Sequence, residues 1–133
     1  MLKNPHRIYQ QNKVNTASGK GIEIAVLETA SARLRACQGS WPAEGFNREL
    51  DEALRFNQRL WDVLQTDWSQ PSCKLPEKLR ADLLSLSVFV RRTTFDIMAK
   101  PAREKLDVLI GINENLSKGL RGQAPREPHP ALG

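Results

Sequence analysis

The chain has 133 residues, 40% of them hydrophobic and 6% aromatic, with a formal net charge of +5 and a pI near 9.6. That length supports one hydrophobic core and not two, and without an apolar run of about 18 residues nothing in it is expected to span a membrane. The basic balance admits nucleic acid or acidic proteins as partners and does not choose between them.

Residues 1–15 read as a polar N-terminal arm, in which Asn4-Pro5 suits a helix start. The opening residues lack the apolar stretch of a secretory signal. A reducing, cytoplasmic setting follows from that, with Cys37 and Cys73 kept as thiols rather than paired. Thr16-Ala17-Ser18-Gly19-Lys20-Gly21 is a breaker and capping stretch. It lacks the spacing of a phosphate-binding loop.

The first helix is predicted from Ile22 to Cys37, with a stripe of Ile22, Val26, Ala30, Leu34 and Cys37 and with Ile24, Leu27 and Ser31 alongside. Gly39-Ser40-Trp41-Pro42 ends it. A second helix, from Ala43 to Trp68, carries Phe46, Leu50, Leu54, Asn57, Trp61, Leu64 and Trp68 on its stripe. The turn after it lies between Pro71 and Pro76.

The third predicted helix runs from Pro76, acceptable in a first turn, to Ala99. Between Leu83 and Val90 it is apolar on nearly every face. A surface helix shows one stripe, so an all-round apolar helix is expected to be covered on several sides. It is therefore read as the central helix, and truncating Leu86 is expected to cost roughly 2–5 kcal/mol. The fourth helix spans residues 102–120, with Leu106, Leu109, Ile110, Asn113, Leu116 and Leu120 inward and Gly119 or Gly122 as its C-cap. Residues 123–133, rich in proline, are expected to be a disordered tail. The reading is all-α: an antiparallel bundle of about four helices over residues 16–122, built around residues 76–99.

The chemistry-bearing residues are sparse. His6 and His129 sit in the two polar ends, away from any Cys, Asp or Glu at metal-ligand spacing, so neither a metal site nor a histidine-activated nucleophile is expected. Asp62 and Asp67 are five apart and do not share a helix face. No enzyme activity and no cofactor is expected.

The candidates for partner binding are Trp61, Trp68, Phe89, Arg91 and Arg92. Trp61 and Trp68 lie on the core stripe, either packed or rimming a groove for an incoming helix. Arg91 and Arg92 either mark the wet face of the third helix or meet an acidic or phosphate-bearing partner. Asn57 and Asn113 each interrupt an apolar seam, as buried register-fixing groups or where a stripe meets solvent. Charge alternates along the chain, basic to residue 38, acidic over 39–72 and basic again after it, a pattern expected of neighbouring helices that attract one another.

Over residues 44–122 the chain resembles the flagellar protein FlaF family. The resemblance rests on Leu60-Trp61-Asp62-Val63-Leu64, on Leu75-Pro76-Glu77-Lys78-Leu79-Arg80-Ala81, and on Leu109-Ile110-Gly111-Ile112-Asn113 with Gly119-Leu120. Cys73, Ser87 and Phe89 depart from the family pattern. The resemblance implies a cytoplasmic, non-enzymatic helper of flagellum assembly. Such a protein promotes flagellin production and export, behaves as a flagellin chaperone, and works opposite an FlbT-type regulator, with the export apparatus as a further possible partner. The alternative, suggested by the pI and the arginines, is an RNA-binding regulator acting on flagellin message; the acids Asp62 and Asp67 beside the tryptophans weigh against it.

Overall fold

The computed structural model describes residues 19–123, and among them every regular element is helical. Helix α1 is Gly19–Gly39, α2 is Arg48–Trp68 and α3 is Glu77–Ala99; a 3₁₀ turn, Arg103–Lys105, leads into α4, Leu106–Gln123. The all-α bundle expected from the sequence is what forms. The expectations for the arm, for His6, and for the tail with His129 lie outside the described residues. Helix α4 extends to Gln123, the last described residue, so Gly119 and Gly122 lie inside it and neither is its C-cap.

Local chemistry sets the helix ends. Gly45 takes φ +82°, a left-handed conformation that side chains disfavour, and its N–H donates to the Pro42 carbonyl at 2.9 Å. The chain can therefore not be helical from Ala43, and α2 starts at Arg48. There Asn47 accepts from the Leu50 N–H at 2.9 Å, and Glu49 and Asp51 complement the positive end of the helix dipole. Phe46, assigned above to the α2 stripe, precedes the helix and is 37% exposed. Pro76 stands at the N-cap of α3, and Pro101 follows immediately after its last residue's cap, Lys100.

The helices run up, down, up, down. Glu28 pairs with Arg121 and Arg35 with Glu114, so α1 lies antiparallel to α4. The Arg33 guanidinium stacks 4.3 Å from the Phe56 ring centre, joining α1 to α2. Arg91 donates to Asp62 at 2.6 Å and Arg80 reaches the Trp68 carbonyl at 3.4 Å, which sets α3 antiparallel to α2. Among them Arg91–Asp62 joins the acidic segment to the basic one after it, as the sign alternation predicts, whereas the two α1–α4 pairs lie between segments read as basic.

One expectation is overturned. The central helix is α2, which buries ten residues, while α3 buries only Ser87, Val90, Thr94 and Ile97. Helix α3 packs along α2 and approaches α4 over only a short stretch. Its buried seam is narrow: the Ser87 hydroxyl donates to the Leu84 carbonyl and Thr94 to the Val90 carbonyl, so both polar groups are satisfied within their own helix. Leu83, Leu84, Leu86 and Met98 are only partly buried against the core, and three large side chains stay at the surface. Phe95 is 57% exposed, Phe89 49% and Val88 43%. Abundant apolar side chains made α3 look central, but burial depends on how many neighbours surround a helix, and α3 sits at an edge of the bundle.

Candidate functional site

The five sequence-predicted residues fall into separate environments. Trp61 is fully buried, and its indole N–H donates to the Asn113 side-chain oxygen at 2.8 Å. Asn113 in turn donates to Asn57 at 2.7 Å. Both asparagines are inaccessible, so they are buried, hydrogen-bonded groups and not stripe margins. They tie α2 to α4 across the bundle, a link no apolar pair would make specific. Trp61 is therefore a core residue with a satisfied polar handle.

Trp68 packs edge-to-face on Trp61, ring centres 5.9 Å apart at 70°, and is only 7% exposed. It nevertheless forms the floor of a hollow at the end of the bundle. The walls are Leu79, Leu83 and Leu86 of α3 and Ile112 and Leu116 of α4. All five are half-buried. The hollow encloses about 360 Å³ between α3 and α4 and is open to solvent. Gly119 lies on its wall with no atom within 4 Å of where a side chain would begin, so the backbone leaves the mouth open.

Arg91 and Arg92 are brought to different roles. Arg91 is engaged by Asp62 and, at 3.5 Å, by Gln65, which accounts for its place on α3 as an internal tie to α2. Arg92 is exposed and pairs with no carboxylate among the described residues. Phe89 is exposed three residues before it. The groove-lining leucines were not singled out from the sequence, where they read as core. The one available signal was the surplus of apolar residues on α3, more than one seam can bury.

Titratable chemistry is muted. Burial pushes the Cys37 thiol up, with Glu49 adding to the effect, so it is held protonated at neutral pH. Desolvation lowers the Arg33 guanidinium while Glu52 opposes the shift. Cys37 and Cys73 are both free thiols. No group of three or more His, Cys, Asp or Glu able to hold a metal occurs among the described residues, and no described helix is long and apolar enough to cross a membrane. What the described residues offer is an apolar recognition surface.

The family model for flagellar protein FlaF matches residues 5–120. The chain belongs to the FlaF family. The match takes in all four helices up to Leu120, and hence the whole hollow. Neither the curated proteins nor the solved structures yielded a match. This chain is accordingly a flagellar protein with an all-helical fold.

Proposed function

We propose that this FlaF-family protein is a non-enzymatic, cytoplasmic flagellar assembly factor that binds flagellin as a chaperone and so promotes its synthesis and export. The observation that carries the reading is the open apolar hollow between α3 and α4, floored by Trp68. Flagellin contributes amphipathic terminal helices to its filament, and such a helix buries its apolar face by lying in a groove of this kind. A monomeric subunit awaiting export would leave that face exposed; a groove that covers it keeps the subunit from associating early. Interaction with an FlbT-type regulator or with the export apparatus would then act on the loaded complex.

The RNA-binding alternative needs aromatic platforms on a basic surface. Trp61 and Trp68 are buried and cannot stack on bases, which favours the protein partner.

The deciding experiment titrates the full chain with purified flagellin and, separately, with flagellin message, each over a salt series. Saturable flagellin binding with shallow salt dependence supports the proposal. Binding to the message alone, with affinity falling steeply as salt rises, would overturn it, because each neutralised phosphate releases counterions. Trp68→Ala is a poor probe of the groove, since its burial against Trp61 makes it structural as well. Leu116→Ala, at a half-buried wall position, is the cleaner one.

A further inference from the structure

We infer that the binding site extends beyond the Trp68 hollow as one cleft along the whole α3/α4 junction, and that it selects an amphipathic helix flanked by acidic side chains. The inference rests on the reading that the partner is a helical protein, and adds the length and chemistry of what is bound.

A second hollow of about 340 Å³ lies on the same junction, lined by Phe89 and Arg92 of α3, by Lys105 at the end of the 3₁₀ turn and by Val108 of α4. The two hollows adjoin. Leu86 of the first and Phe89 of the second are three residues apart on α3, and Ile112 and Val108 are four apart on α4, so each helix carries its wall from one hollow to the next within a single turn. From Leu79 to Asp96 the wall on α3 runs about 26 Å at helical rise. That is the length of an incoming helix of about 17 residues. The exposed Phe89 and Val108 are the apolar residues of the second hollow, which explains why they stay uncovered in the free chain.

The charges decide which helix fits. Of those lining the second hollow, Asp96 and Lys105 pair at 3.2 Å, which leaves Arg92 uncompensated. The cleft thus carries an unpaired guanidinium, Arg92, in its second hollow. A second copy of this chain would bring the same arginine against it. The chain's own residues 1–18 carry Lys3, Arg7 and Lys13 and no acid. Charge complementarity therefore points to a partner helix whose apolar stripe is bordered by Asp or Glu.

The test uses two synthetic peptides of about 18 residues, each with a leucine stripe at helical spacing, one flanked by Glu and the other by Lys. Their affinities for the full-length protein are measured by fluorescence anisotropy. The Glu peptide should bind at least tenfold tighter than the Lys peptide, and Arg92→Glu should remove or reverse that preference. Gly119→Leu should weaken the Glu peptide at least tenfold by filling the mouth of the first hollow. Its melting temperature should hold or rise, because leucine replaces glycine inside a helix, so loss of binding is not loss of fold. Equal affinity for the two peptides, no binding of either, or undiminished binding by Gly119→Leu would overturn the inference. If the Glu peptide behaves as expected while flagellin fails to bind, the cleft stands and the partner's identity falls.

Discussion

Helices α2 and α3 are close in length, 21 and 23 residues, yet one is the core of the bundle and the other its open edge. Helix α2 is neighboured by α1 and α3 and crossed by the Asn57–Asn113 link to α4, so its stripe of Leu50, Leu54, Leu60, Trp61 and Leu64 is fully buried. Helix α3 is packed well only on α2, and it keeps large apolar side chains at the surface. Scattered apolar side chains are ordinary on a protein surface, but a contiguous apolar patch marks an interaction site. The difference between the two helices therefore separates what holds the fold from what is available to bind.

The contrast breaks most readily in the core. Leu60→Ala should lower the unfolding free energy by roughly 2–5 kcal/mol, the range for a fully buried leucine. Leu86→Ala, half-buried on α3, should cost about 1 kcal/mol in the same urea titration, in proportion to the smaller area it covers. Equal losses would mean that α3 is as deeply packed as α2.

Next comes the polar link. Asn113→Ala removes the acceptor of the Trp61 indole and the donor to Asn57 together, and should cost about 2–4 kcal/mol because both partners stay buried. In a double-mutant cycle with Asn57→Ala the losses should not add, since the second substitution removes a group already orphaned. Strict additivity would show that the two asparagines do not act as a pair.

Smaller effects sharpen the edges of the picture. Gly45→Ala should cost about 1 kcal/mol by thermal melting, because alanine is strained at φ +82°. A neutral result would place the α1–α2 turn in another conformation. Limited alkylation with iodoacetamide near neutral pH should modify the half-exposed Cys73 well before Cys37, whose thiol is buried and titrates above its usual range. Because that thiol titrates higher folded than unfolded, its stabilising contribution is complete at neutral pH and is lost as pH rises through its folded value. Comparable rates, read by peptide mass mapping, would contradict the packing of α1 on α2.

Much of the core could be read directly from the residues. The stripes of α1 and α2 predicted most of the buried set from Val26 to Trp68, because hydrophobic periodicity reports which face of a helix turns inward. Phe46 was predicted and is exposed, while Phe56 and Val63 are buried outside the predicted stripe. Phe46 was lost to Gly45, whose positive φ is a property of the folded turn and leaves only a weak trace in sequence. Asn57 and Asn113 were visible as interruptions, but whether they met depended on which helices lie across from each other. The error over α3 has the same root. Apolar content shows what a helix would gain from cover, while topology decides whether the chain itself provides it. The cleft was legible least of all, since Leu83 and Leu116 lie on consecutive helices whose stripes both read as core, and how far those helices close on each other is set by their packing in the bundle. What the sequence did carry about function came through the family resemblance, on Trp61, Leu75-Pro76 and the Leu109–Asn113 segment.

Hydrogen–deuterium exchange on the free protein and on its mixture with flagellin addresses both halves of the contrast at once. In the free chain, amides of α3 should exchange faster than those of α2, as expected where fewer apolar contacts oppose local opening. With flagellin present, exchange should slow along residues 79–96 of α3 and 105–120 of α4 and stay unchanged in α1. Protection confined to α1 and α2, or α3 already as protected as α2 in the free protein, would contradict an open edge that closes on its partner.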